Sequence, residues 1–161
     1  MADTPAVTMC LGIDPGTEQS AYALWNGQTI VSCDIFPNRD LRDLLGDASW
    51  SGIPVYVEMI ASYGMPVGAS VFKTVLWIGR FQEICEIHHR PCELVYRTAI
   101  KVHHCHSSRA KDANVAQALR DKYGAVGTKS KPGPLYGVKT HIWSALAVAT
   151  YAFETFRSTK A

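Results

Sequence analysis

The first third of the chain alternates apolar runs with short polar turns, a pattern typical of β-strands. Apolar runs cover residues 7–13, 20–25 and 29–36. The last two runs flank Asn26-Gly27, a dipeptide that favours the tight turn of a β-hairpin. We therefore predict an antiparallel meander of three strands.

Strands and helices alternate in the rest of the chain. The pattern predicts strands at residues 53–57 and 93–96, and helices at residues 40–45, 69–88, 98–104, 111–123 and from Thr140 to about 156. In helix 69–88, the spacing places seven apolar residues on one face: Val71, Val75, Leu76, Ile78, Phe81, Ile84 and Cys85. These elements predict an α/β fold with a mixed five-stranded sheet, three strands antiparallel and then two parallel, flanked by helices.

The size and composition indicate one compact domain. The chain has 161 residues, of which 47% are hydrophobic and 19% charged. We assign residues 8–157 to this domain and expect residues 1–7 and 158–161 to be flexible. No apolar run reaches the roughly 18 residues that span a bilayer, and we see no secretory signal. Five cysteines without a repeated CxxC spacing suit reduced thiols, so we expect a cytoplasmic protein.

Charge is distributed unevenly along the chain. Residues 1–87 contain 4 Lys and Arg against 10 Asp and Glu, whereas residues 88–161 contain 12 against 4. All six histidines also lie in the second part. The asymmetry suggests a polyanion bound by the basic part, although two solvated faces of opposite charge would give the same count.

Two acidic residues follow buried strands. Asp14 stands where the first strand breaks into Pro15-Gly16, and Glu58 ends the strand at 53–57. Acids at the ends of neighbouring core strands converge, and two close carboxylates favour a neutralising cation. Oxygen ligands in a partly open site suit Mg²⁺ or Mn²⁺. A solvated strand end is the alternative for each acid taken alone.

Several segments together resemble the RuvC family of Holliday junction resolvases, within the ribonuclease H-like superfamily. The acidic segments are Leu11-Gly-Ile-Asp-Pro-Gly-Thr17 and Val57-Glu58. Later segments resemble the branch found in bacteriophages and prophages: Arg109-Ala-Lys-Asp-Ala-Asn114, Gly127-Thr-Lys129, Pro132-Gly-Pro-Leu-Tyr-Gly137 and His141-Ile-Trp-Ser-Ala-Leu-Ala-Val148. The similarity covers roughly residues 8–155. The first motif is also similar to that of actin-like and sugar-kinase ATPases, but no second phosphate motif appears and we expect no nucleotide cofactor.

The resemblance implies a dimeric endonuclease of four-way DNA junctions, in a bacterial or phage-infected cell. It implies two divalent ions that activate water and stabilise the leaving oxygen, giving a 5′-phosphate and a 3′-hydroxyl. Asp14 and Glu58 match the first two catalytic acids of the family. Its third and fourth acids correspond to His141 and Ser144. We therefore predict Asp14, Glu58 and His141 as metal ligands, with a preference for Mn²⁺ and activity that falls as His141 becomes protonated.

Basic residues near the family's functional lysines are the next candidates. Lys101 and Lys111 lie near two lysines that the family needs, with the spacing off by one residue, and we assign them to the scissile phosphate. Arg109 is a candidate DNA contact in the same segment. Asp112, which follows Lys111, is a spare metal ligand, although a helix start favours an acid for electrostatic reasons alone.

Two loops are further candidates for DNA contact. The loop from Gly127 to Lys139 combines cations with an aromatic ring that can stack on bases, and its candidates are Lys129, Lys131, Lys139 and Tyr136. Past Glu58, the resemblance implies a residue that wedges into the junction. This sequence has Ala61 near that position, with Tyr63 as a substitute.

Two features have more than one interpretation. The run His103-His104-Cys105-His106 suggests a transition-metal cluster, but neighbouring ligands point apart and we favour packing or DNA-facing side chains. In helix 69–88, Phe72, Trp77 and Phe81 are bulky enough for a dimer interface, and core packing explains them equally well.

Three functions remain open at this point. The first is a structure-selective endonuclease of branched DNA. The second is a junction-binding protein with weak catalysis, because His141 and Ser144 replace acids. The third is a ribonuclease H-like nuclease acting on replication forks or RNA–DNA hybrids.

Overall fold

The fold is that of a computed structural model, and residues 8–158 are described. Of the ends that we expect to be flexible, residues 1–7 and 159–161 lie outside this range, whereas Ser158 is the last residue of the final helix. The first residue of the first predicted strand also lies outside it. Within residues 8–158, no helix is both long enough and apolar enough to cross a membrane. The five cysteines all lie in this range and are free thiols.

A five-stranded sheet forms the centre of the molecule. Its strands are β1 (Cys10–Asp14), β2 (Gln19–Trp25), β3 (Ile30–Pro37), β4 (Val55–Met59) and β5 (Cys92–Tyr96). They are ordered β3-β2-β1-β4-β5. Strands β1, β2 and β3 pair antiparallel, while β4 pairs parallel with both β1 and β5. The predicted fold class is therefore confirmed.

Five helices flank the sheet within the described range. They are α1 (Asn38–Leu45), α2 (Ala69–Ile87), α3 (Arg97–Cys105), α4 (Asp112–Tyr123) and α5 (Ile142–Ser158). A short 3₁₀ segment at Ala48–Trp50, which was not predicted, precedes β4. Helices α1 and α2 pack on one face of the sheet, and α3, α4 and α5 on the other.

Each face of the sheet has its own hydrophobic core, because side chains alternate along a strand. In β1, Cys10 joins the core under α5, while Leu11 and Ile13 join the core under α1 and α2. Covering both faces explains why β1, β2 and β4 are apolar nearly throughout. The sheet is therefore held rigidly, and the side chains that its strand ends carry are fixed in position.

The inward face predicted for α2 is partly wrong. Ile78, Phe81 and Cys85 are buried, but Leu76 is exposed and Trp77 takes its place in the core. Trp77 and Phe81 therefore serve core packing, whereas Phe72 is exposed together with Leu76. The helix is apolar on more than one side, so its periodicity alone does not identify the buried face.

Candidate active site

Asp14 lies at the last position of β1, where the strand breaks into a turn. Two buried polar residues fix this turn. The Asn38 amide donates to the Gly16 carbonyl at 3.0 Å, and the Ser20 hydroxyl accepts from the Gly16 N–H at 3.2 Å. Ser20 in turn donates to Asn38 Oδ1 at 2.6 Å. The Asp14 carboxylate is therefore presented by a turn with little freedom to move.

Glu58 lies beside Asp14 because β4 runs parallel to β1. The strands are in register with Ile13 opposite Val57, so the next residue of each strand reaches the same edge of the sheet. Glu58 is almost entirely buried, as expected for a side chain on a central strand. Two acids from adjacent parallel strands thus meet at one end of the sheet.

His141 reaches the same edge from the segment that leads into α5. Its Nδ1 lies 3.3 Å from Asp14 Oδ2, while most of its side chain remains exposed to solvent. Gly12 makes this approach possible, since a Cβ on that residue would lie 2.2 Å from the carbonyl oxygen of Ala145. Close packing of α5 on β1 therefore brings His141 to Asp14.

Arg97 is a site residue that the sequence reasoning did not include. It begins α3, directly after the carboxyl end of β5, and donates from Nη1 to Glu58 Oε1 at 3.0 Å. Its Nη2 contacts Asp112, the first residue of α4. The signal in the sequence was its position, because residues following parallel strands gather at the same sheet edge as Asp14 and Glu58.

A small pocket opens next to this arginine. Its polar lining comes from Glu58, Arg97, Lys101, Asp112 and Ser144, and its apolar lining from Ile100, Val115, Trp143 and Ala147. Ser144 and Lys101 therefore line this pocket together with Glu58, and their roles stay predictions. Acidic, basic and hydroxyl groups thus share one concave surface.

The electrostatics of the site centre on Asp14. Burial raises the pKa of Asp14 to about 7, and the nearby Glu58 carboxylate raises it as well. The charges of His141 and Arg97 act in the opposite direction. A carboxyl group that ionises near neutrality, next to a second carboxylate, indicates a place where an added positive charge would be stabilising.

The donor set fits a divalent cation in its chemistry. Asp14 and Glu58 supply carboxylate oxygens and His141 an imidazole nitrogen, which suit Mn²⁺ and, without the imidazole, Mg²⁺. Within residues 8–158, however, no three His, Cys, Asp or Glu side chains are gathered so that they could hold a metal ion. Glu58 Oε1 accepts a hydrogen bond from Arg97. The ligand roles of Asp14, Glu58 and His141 stay predictions.

The other basic candidates lie on the surface around α4. Lys111 precedes α4, is exposed, and donates its backbone N–H to Asn114 Oδ1 at 2.9 Å. Arg109 is also exposed, and its backbone N–H donates to Ser107 Oγ. Both side chains can reach a bound polyanion without loss of packing.

The loop after α4 presents its cations on a fixed backbone. Lys129, Lys131, Lys139 and Tyr136 are exposed, while Leu135 and Val138 between them are buried. The Pro134 carbonyl accepts from the Ile30 N–H at 3.0 Å, which fastens the loop to the start of β3. This combination is typical of a loop that carries a binding surface.

Tyr63 connects the loop after β4 with the site. Its side chain is exposed, and its hydroxyl lies 2.7 Å from Oγ1 of Thr98, the residue after Arg97. The backbone of Tyr63 is in the left-handed region, with φ of 48°. The ring therefore lies next to the first turn of α3.

The histidine run is part of the packing between α3 and α5. His103 Nε2 lies 2.6 Å from Glu154 Oε2, and His104 Nε2 lies 3.1 Å from the carbonyl oxygen of Ala147. Burial lowers the pKa of His104. These contacts favour the packing interpretation over a zinc site.

Two solved structures of Thermus thermophilus RuvC are similar to this chain. One has a TM-score of 0.70 at 17% sequence identity, and the similarity covers 94% of this chain and 97% of that one. The other, RuvC in complex with a Holliday junction substrate, has a TM-score of 0.67 at 14% identity, covering 96% and 98%. No protein-family model and no curated protein matches the sequence. The chain therefore has a RuvC-like, ribonuclease H-like fold.

Proposed function

We propose that this protein is a divalent-cation-dependent endonuclease of branched DNA, and that four-way junctions are its main substrate. The observation that carries the proposal is the pairing of Asp14 with Glu58 at one edge of a RuvC-like sheet, with His141 Nδ1 lying 3.3 Å from Asp14 Oδ2. The solved RuvC in complex with a Holliday junction supports branched DNA as the ligand. Such an enzyme would act in the cytoplasm of a bacterial or phage-infected cell, and the phage-like motifs of residues 109–148 favour the latter.

The roles of the residues follow from their positions. Asp14, Glu58 and His141 would hold two Mg²⁺ or Mn²⁺ ions, which would supply an activated water and stabilise charge at the phosphorus. Lys101 lines the pocket next to Glu58 and is suited to a phosphate oxygen. The exposed lysines 129, 131 and 139, together with Tyr136, would contact DNA away from the reacting bond.

A homodimer is part of the proposal, because paired nicks on opposing strands need two active sites related by a two-fold axis. Phe72 and Leu76 form an exposed apolar pair on α2 that supports self-association. The mass of the protein in solution tests whether it forms a dimer. A monomer both alone and on junction DNA would contradict paired nicking.

Cleavage of defined substrates tests the proposed activity. The protein is incubated with a labelled four-way junction, a Y-fork, a linear duplex and an RNA–DNA hybrid, each with Mg²⁺ or Mn²⁺. We expect paired, symmetric nicks in the junction, with 5′-phosphate ends. Asp14→Asn should abolish them, and His141→Asp should keep or increase cleavage with Mg²⁺. Cleavage of the hybrid alone would overturn the choice of substrate.

A second function has specific support in the structure. Arg97 adds a positive charge next to Glu58, and Ser144 contributes no charge where the resemblance implies an acid. Both features lower the affinity of the site for cations. Tight binding of the junction without nicks, in either metal, would favour a junction-binding protein with weak catalysis.

A further inference from the structure

Arg97 joins two carboxylates that differ strongly in environment. The Glu58 side chain is 10% exposed, whereas the Asp112 side chain is 70% exposed. Ion pairs that solvent reaches contribute little, while a hydrogen-bonded pair with a buried carboxylate is costly to break. An incoming anion can therefore replace Asp112 as a partner of Arg97, whereas Glu58 remains hydrogen-bonded to it.

The surroundings of Arg97 favour a phosphate in the place of Asp112. Lys101 lies one helical turn further along α3 and lines the same pocket. Asp112 is the first residue of the 12-residue helix α4, where the helix dipole stabilises a negative group. A guanidinium is planar and can give two parallel hydrogen bonds to a phosphate.

We propose that Arg97 binds a DNA backbone phosphate at this site, and that Asp112 holds its guanidinium until the phosphate replaces it. Nη1 keeps its hydrogen bond to Glu58 Oε1 throughout, so the same arginine also orients Glu58. The inference rests on the proposed function, since it takes DNA as the ligand. It also gives Asp112 a role that differs from a spare metal ligand.

Binding measured without metal tests the proposal. A fluorescently labelled four-way junction is titrated with protein in EDTA, and anisotropy is followed at several salt concentrations. Arg97→Gln should weaken binding by about tenfold and reduce the salt slope by about 0.9, the value for one phosphate contact. Asp112→Asn should tighten binding by about fivefold, because it removes a competing surface ion pair.

A double variant shows whether Asp112 acts through Arg97. If Asp112 only repels DNA by its charge, Asp112→Asn will tighten binding equally in the wild type and in Arg97→Gln. If Asp112 instead acts by pairing with the Arg97 guanidinium, Asp112→Asn will no longer increase the affinity in the Arg97→Gln background. Arg97→Lys, which keeps the charge, should restore the salt slope. Melting temperatures measured alongside confirm that each variant is folded.

The pair Arg42 and Asp43 on α1 is a matched control. Their atoms are 3.2 Å apart, and the side chains are 40% and 70% exposed, against 38% and 70% for Arg97 and Asp112. Arg42→Gln and Asp43→Asn should leave affinity and salt slope unchanged. Junction binding that is the same in Arg97→Gln as in the wild type would overturn the inference alone. A wild-type protein that does not bind the junction would overturn the proposed function with it.

Discussion

The ionisation of Asp14 leads to a prediction about stability that needs neither DNA nor cleavage. Asp14→Asn replaces the carboxylate with a neutral group of the same shape. Burial and the neighbouring Glu58 raise the pKa of Asp14 from 3.8 to about 7 in the folded protein. In the unfolded chain the carboxyl group returns to its ordinary value. Without metal, the variant should therefore be more stable than the wild type at pH 8.

The sign and size of the effect follow from proton linkage. Between the two pKa values the folded state binds more protons than the unfolded state, so the free energy of unfolding falls as the pH rises. This fall in the free energy of unfolding levels off above pH 7. Between pH 5 and pH 8 it amounts to about 3 kcal/mol, from 1.36 kcal/mol for each unit of pKa. For a chain of this size that corresponds to about 6 to 12 °C in melting temperature.

Urea unfolding of wild type and Asp14→Asn at half-unit steps from pH 5 to pH 8, in EDTA, measures the difference. Groups remote from Asp14 titrate alike in both proteins and cancel, so the gap in free energy of unfolding between the two proteins should widen with pH. Asp40→Asn, at an exposed position of α1, is the control and should show no such trend. Adding Mn²⁺ at pH 8 should stabilise the wild type and not Asp14→Asn. A gap that is constant across the pH range would refute the reasoning.

Two further variants test how the site is supported. Gly12→Ala should destabilise the protein by about 2 kcal/mol or more, since the new Cβ meets the Ala145 carbonyl at 2.2 Å, and thermal unfolding measures the loss. Although burial raises the pKa of Glu154, hydrogen bonds from Lys122, Tyr123 and His103 lower it to about 2. The stability that the ionised Glu154 contributes to the folded protein is therefore present above pH 4.5 and is lost as the pH falls towards 2. Glu154→Gln should lower the melting temperature at pH 7 and make it less sensitive to acid, and an unchanged acid profile would contradict this.

The sheet was predictable because its signals are local. Asn26-Gly27 lies in the turn between β2 and β3, and β2 is buried along nearly its whole length. The acids Asp14 and Glu58 could be paired from sequence because parallel strands end at a common edge. These inferences need only the order of elements and the period of a strand.

Arg97 and the exposed side of α2 were not predictable in the same way. Arg97 matters because two residues distant in sequence, Glu58 and Asp112, lie on either side of its guanidinium. Nothing in the local pattern distinguishes it from a solvated arginine at a helix start. For α2, Leu76 and Trp77 are adjacent and both apolar, so only the packing against the sheet decides which one is buried.

Charge balance relates the residues at positions 97, 112 and 144 to one another. Asp14, Glu58 and Asp112 bring three carboxylates to the site, and Arg97 offsets one of them permanently. Two negative charges then remain on the carboxylates once Asp14 is ionised. Had residue 144 also been an acid, the site would carry a further negative charge close to the buried Glu58, and ionisation of Asp14 would become more costly still. A hydroxyl at 144 and a guanidinium at 97 therefore act in the same direction, since each leaves the site less negative than an acid at that position would.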